Sequence, residues 1–178
     1  MTKADEDWVL ACRRFEKMTV AEADQQMDIE PTLVGPQDTL LEVAQKAVER
    51  PTCSVISVVD EQGRLLGLLP ARDLAFGAFV HVLPELFLRY ANDLREGGRF
   101  ALMTRGRTAG DVMRPPLAVR PRDHLEDIFG RFLRTDLEGL PIVDDADRVI
   151  GYLNLFEFFC VWINSCYIGP QAGGEQRR

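Results

Sequence analysis

Two stretches of the chain are near-copies of each other: "VISVVDEQGRLLGLLPARDLA", Val55 to Ala75, and "GLPIVDDADRVIGYLNLFEFF", Gly139 to Phe159. Each reads as two short apolar runs hinged at an acidic turn, followed by a helix start. The correspondence extends upstream. Pro36, Asp38 and Leu40 match Pro121, Asp123 and Leu125 at an offset of 85 (121 − 36). Val59, Asp60, Arg64, Gly67 and Leu69 match Val143, Asp144, Arg148, Gly151 and Leu153 at an offset of 84 (151 − 67). The residue lost between the two blocks falls where a loop tolerates it. One such unit alone leaves a sheet face uncovered, so the two copies are expected to pack on each other.

Local patterns fill in each unit. Leu40, Val43, Ala44, Ala47 and Val48 fall at i, i+3, i+4, i+7 and i+8, and Leu125, Ile128, Phe129, Phe132 and Leu133 repeat that spacing. The periodicity puts five side chains on one stripe of an amphipathic helix. Asp38 and Asp123 stand just ahead of these helices, where a carboxylate accepts first-turn N–H groups. Short extended pieces, "TLVG" and "LAVR", precede the helices. The β-branched runs "VISVV" and "LPIVD" follow them, then "RLLGLL" and "RVIGYL". The turns "DEQG" and "DDAD" place Gly63 and Asp147 where a positive φ is expected. After the last strand, "ARDLAFGAFVHVL" and "LFEFFCVWINSC" read as helices. Each copy is thus β-α-β-β-α, and the fold class is α/β in the wide sense, α+β.

Composition narrows the function classes. A formal net charge of −7 argues against a nucleic-acid polymer as partner, which needs a broad basic face. Between Arg95 and Arg134 nine arginines face five acids; the stretch reads either as a solvated surface or as a local anion site. Cys12, Cys53, Cys160 and Cys166 lack CxxC spacing and histidine companions. They read as small buried hydrophobes of a reducing compartment rather than zinc ligands or disulfides. The opening "MTKADEDWVLACRRFEKM" is charged throughout, unlike a secretory leader, so a cytoplasmic location is expected. The most apolar stretch is interrupted by Asn154, Glu157, Asn164 and Ser165, and no membrane insertion is expected. His81 and His124 have no Ser or Cys partner at telling spacing, "DDAD" lacks a calcium-loop frame, and no Walker or Rossmann glycine pattern occurs. No catalytic residue, metal site or required cofactor is expected.

The order "TAGDVMRPPLAVRP", helix, "GLPIVDDADRVIGYL" resembles a CBS domain, the module named after cystathionine β-synthase. The first copy, "QMDIEPTLVGPQDTLLEVAQKAVERPTCSVISVVDEQGRLLGLLPARDL", is similar but lacks the proline of "LPIVD". Together they resemble a CBS pair, or Bateman module, over about residues 20–75 and 108–165. The resemblance implies two units related by a pseudo-twofold, packed sheet to sheet and flanked by two clefts that take adenosine-containing ligands. It also implies the pattern G-h-x-S/T-x-x-D at the last strand-to-helix junction, where free N–H groups face the cleft and the Asp accepts ribose hydroxyls.

Carried onto the first copy, the pattern reads Gly67 to Asp73, with Asp73 in place, Arg72 a forked donor for phosphate, and Pro70 where the hydroxyl belongs. Leu69 and the wall formed by Cys53, Ser54, Val55 and Ile56 would complete this nucleotide site. In the second copy Asn154 and Glu157 occupy the key positions, with Leu137, Gly139, Leu140 and Pro141 as the wall. Glu157 is one methylene longer than the family's Asp, so this cleft is expected to be the weaker. The implied function is a regulatory, ligand-sensing protein that binds AMP, ADP or ATP and modulates a separate, unidentified effector protein. The alternative is a structural dimerisation module with vestigial clefts.

The remaining segments lie outside the repeat. The expected division is an N-terminal helix over 1–18 with Trp8, Cys12 and Phe15 on one face, a first unit over 19–82, a helical insertion over 83–107, a second unit over 108–168, and a disordered tail over 169–178. In the insertion, Pro84 starts a helix to about Leu94 with Leu83, Phe87, Tyr90, Ala91 and Leu94 as its apolar stripe. It covers core of its own subunit or joins the Phe156–Trp162 segment at a subunit interface. CBS pairs complete themselves by two-fold association, and a homodimer is expected.

Overall fold

The computed structural model describes residues 13, 15–24, 29–75 and 106–166. Trp8, Cys12, His81, the expected 84–94 helix and the 169–178 tail lie outside them. The described elements are α1 (Val20–Asp24), β1 (Leu33–Val34), α2 (Leu40–Glu49), β2 (Val55–Val59), β3 (Leu65–Pro70), α3 (Ala109–Val112), α4 (Leu125–Arg134), β4 (Gly139–Val143), β5 (Val149–Asn154) and α5 (Leu155–Cys166). Residues 71–75, directly after β3, are helical as well. The first copy forms a sheet in the order β1-β2-β3, with β1 parallel to β2 and β2 antiparallel to β3; β4 and β5 pair antiparallel in the second. The two α+β units of the repeat are therefore both present. The strand expected at "LAVR" is reduced to a single parallel bridge between Val119 and Ile142.

The two hairpins match to the residue. Each carries a register shift at the same place, Val58/Val59 and Ile142/Val143. Gly63 has φ 78° and Asp147 φ 61°, the left-handed geometry that glycine and aspartate tolerate. Asp60 accepts hydrogen bonds from the Gln62 and Arg64 amides and from Arg64 Nε; Asp144 does the same with Ala146 and Arg148. These two tips meet. Leu65 N–H donates to Asp147 C=O at 2.9 Å, Val149 N–H donates to Gly63 C=O at 3.0 Å, and Arg64 and Arg148 form the bridge between them. The repeat's equivalent residues thus face each other across a pseudo-twofold.

A second exchange links the copies. Leu40 N–H donates to Arg107 C=O, and Ala109 and Gly110 N–H donate to Asp38 and Pro36 C=O; Leu125, Val20 and Ala21 make the matching bonds to Met18, Asp123 and Pro121. Each short leading helix, α1 or α3, therefore docks on the main helix of the other copy. The core follows this pairing. Ala109 and Val112 pack with Val34, Val43, Ile56, Val58, Leu69 and Leu74 of the first copy. Phe15, Val20 and Ala23 pack with Leu125, Ile128, Phe132, Leu140 and Leu153 of the second.

Two local expectations need correction. The cap of α2 is Thr39, in a capping box with Glu42, while Asp38 accepts from Gly35 N–H and from Lys46 Nζ at 2.7 Å. The cap position of α4 is His124, which makes no side-chain cap bond; Asp123 instead accepts from Arg120 N–H and Arg131. Each aspartate thus closes the turn before the helix rather than the helix itself. The apolar stripes are also narrower than expected, because Val48, Phe129 and Leu133 are 77%, 49% and 72% exposed. Burial runs through Val43, Leu125, Ile128 and Phe132 instead.

Candidate functional site

In the first copy, β2 and β3 bring the expected residues to one end of the hairpin. Val55 pairs with Pro70 and Ile56 with Leu69, and Ala71 N–H donates to Ser54 C=O at 2.9 Å. Asp73 then lies in the first turn of the helical run 71–75. Most of the apolar wall is core: Cys53, Val55, Ile56 and Leu69 are 2% exposed or less. Pro70 is buried as well, and Arg72 is exposed. The polar atoms of the wall have partners. Cys53 Sγ accepts from Thr32 N–H and donates to Val55 C=O, while Ser54 Oγ and Val55 N–H meet Tyr152 Oη of the second copy.

The acid of this site is held by a residue that sequence reasoning did not single out. Arg114 Nε donates to Asp73 Oδ2 and Nη2 to Oδ1, both at 2.8 Å, while Nη1 donates to Asp136 Oδ1 at 2.6 Å. The side chains of Arg114 and Asp73 are 17% and 13% exposed, so solvent screens this forked pair weakly. Burial pulls the Arg114 pKa down, but the Asp136 and Asp73 carboxylates outweigh it and hold the guanidinium charged above its ordinary value. Arg114 reaches this place because its backbone runs antiparallel beside β3, exchanging both bonds with Leu68 at 2.7 and 3.0 Å. Gly67 leaves room for that approach: a Cβ there would come within 2.7 Å of the Arg114 carbonyl oxygen.

The second copy builds the equivalent corner differently. Leu155 N–H donates to Glu138 C=O, matching Ala71 and Ser54. Asn154 accepts from Phe156 N–H at 2.7 Å and donates from Nδ2 to Thr52 C=O, so it caps α5 as its residue type suggests. Glu157 accepts from Ile29 N–H at 3.2 Å and Asn154 N–H at 3.4 Å. Its extra methylene lets it satisfy backbone amides. Leu137, Gly139, Leu140 and Pro141 are buried, and a Cβ on Gly139 would strike the Tyr152 ring.

Of the missed residues, Arg114 and Tyr152 act across the two copies, and Asp136 holds Arg114 from within the second. Tyr152 left one trace in the sequence: an aromatic stands where the first copy has Leu68, near a glycine on the facing strand. Arg114 left less, since it is one of the nine arginines of its stretch. Among the described residues no group of histidines, cysteines and acids could hold a metal ion, and no helix is long and apolar enough to cross a membrane.

The family model of the CBS domain matches residues 19–77 and 109–159. No curated protein sequence matches the chain. Among solved structures it is similar to a CBS domain-containing protein from Thermotoga maritima, at 19% identity, TM-score 0.64, and 82% and 94% of the two chains covered. It is similar to CBSX2 in complex with AMP, at 25% identity, TM-score 0.58, and 82% and 96% covered; CBSX2 is a CBS-pair protein of Arabidopsis thaliana. It is also similar to the cytosolic domain of the Mg2+ channel MgtE in complex with ATP, at 25% identity and TM-score 0.56, covering 86% of this chain and 52% of that one.

Proposed function

The chain belongs to the CBS domain family as a tandem pair, and from that premise we propose that it is a regulatory protein binding an adenosine-containing ligand in the first cleft. AMP, ADP and ATP are the favoured ligands. The observation that carries the reading is the placement of Asp73 beside Arg114 at the β3-to-helix turn. The carboxylate suits a ribose diol and the guanidinium suits a phosphate. A relative solved with AMP and another with ATP support the ligand class. On this reading the protein is not an enzyme. Binding changes shape or affinity toward a separate effector protein, and the pair works as a cytoplasmic homodimer divided into the units set out above.

One observation favours the structural alternative. Beside α4 and α5 lies an apolar groove of about 870 Å³ lined by Phe15, Phe129, Phe156, Phe158, Phe159 and Trp162, which suits association more than sensing. A melting scan against AMP, ADP, ATP, S-adenosylmethionine and cyclic dinucleotides separates the two. A ligand at about 100 times its Kd adds about 2.7 kcal/mol, and a rise of several degrees with one of them supports sensing. A flat scan across all of them leaves the structural reading.

A further inference from the structure

The first cleft already contains a tenant. Both Asp73 oxygens are occupied by Arg114, at 2.8 Å each, so a ribose diol approaching Asp73 meets a guanidinium in place. The Arg114 backbone is tied to Leu68 by two hydrogen bonds, which leaves its side chain as the part that can move. Its third anchor, Asp136, precedes β4 and is 47% exposed. Arg114 therefore joins the helix that ends the first copy to the loop that opens the second hairpin.

Resting on the reading that this cleft takes an adenosine-containing ligand, we infer that Arg114 is a displaceable latch that makes the site select for phosphate. A ligand that takes Asp73 with its ribose strips the guanidinium of its forked partner. The guanidinium then keeps only the single bond from Nη1 to the half-exposed Asp136, and a charged group left under-paired at low exposure is costly. A nucleotide supplies the replacement anion, its phosphate, and the guanidinium re-pairs with it. A nucleoside supplies none. The same displacement breaks the Arg114–Asp73 pair, which ties the second unit to the first, so the hold between the two copies changes when a nucleotide enters.

Calorimetric titration of AMP and of adenosine into the full chain, Arg114→Gln and Asp136→Asn tests this. The parent is expected to prefer AMP over adenosine by about tenfold or more, the scale of one charge-assisted hydrogen bond. Arg114→Gln should bind adenosine more tightly and AMP more weakly, bringing the two affinities together. Asp136→Asn should keep the preference and bind AMP more tightly, because the guanidinium has lost an anchor. If Arg114→Gln changes both affinities by the same factor, Arg114 is only structural and the latch is overturned. Should Arg114→Gln fail to fold, Asp136→Asn decides, and unchanged AMP affinity there overturns the latch. If neither compound binds parent or variants, the cleft reading itself falls, and the latch with it.

Discussion

The hydroxyl of Tyr152, in the last strand of the second copy, lies 3.0 Å from both the Val55 amide nitrogen and Ser54 Oγ of the first. One side chain thus supplies a partner to a buried amide at the start of β2, next to the candidate ligand site. Tyr152 is 1% exposed, and Gly139 on the facing strand is small enough to admit its ring.

Removing that hydroxyl should cost stability. Tyr152→Phe leaves the Val55 amide buried without an acceptor, a loss of about 1 to 3 kcal/mol. In denaturant the midpoint should fall with an unchanged slope. Gly139→Ala should cost more, since the new methyl meets the ring. A Tyr152→Phe midpoint equal to the parent's would show that water replaces the hydroxyl.

Stability should fall at both ends of the pH scale. Backbone bonds from Arg64 and Arg148 hold the Asp60 and Asp144 carboxyls below their usual range, and the capping acids Glu22, Glu42 and Asp111 are lowered too. Depressed pKa values stabilise above the unfolded carboxylate value of roughly 4, and the contribution is lost as pH drops through the folded values. Tyr152 works in the opposite sense: burial raises its pKa, so its contribution is complete below about pH 10 and is lost above it. Melting temperature against pH should show both limbs, and Asp60→Asn with Asp144→Asn should flatten the acid one. An acid limb unchanged in the double variant contradicts this account.

Association should depend on α5. Phe156 and Phe159 are 71% and 49% exposed, and Phe159 lies 5.8 Å from Trp162, ring to ring. A homodimer that buries this face should dissociate when Phe159 is replaced by Glu. Light scattering at micromolar concentration should then report monomer for the variant and dimer for the parent. A parent that is already monomeric, or a variant that still dimerises, places the interface elsewhere.

Much of the fold was legible because repeated local chemistry repeats local structure. The hairpins follow from β-branched runs around "DEQG" and "DDAD", and Gly63 and Asp147 take the positive φ their residue types allow. Sequence periodicity could not show the exchange of leading helices, since Ala109 bonds to Asp38 and Val20 to Asp123, partners far apart along the chain. Nor could it separate a cap from the turn before it, so Asp38 stood in for Thr39. At the site the motif pointed to Asp73 and to its helix turn. That a guanidinium 41 residues away would take both its oxygens depends on the antiparallel run of Arg114 beside Leu68, a tertiary fact without a local pattern.

The central claim is one working adenosine-ligand site per chain, centred on Asp73. Titration calorimetry of AMP into the parent, Asp73→Ala and Glu157→Ala tests it most directly. The parent is expected to bind AMP at one site per chain. Asp73→Ala should bind roughly ten- to a hundredfold more weakly, the loss of a charged hydrogen bond at a poorly solvated site, while Glu157→Ala should stay close to the parent. Asp73→Ala binding as tightly as the parent, or a parent that binds no AMP, contradicts it.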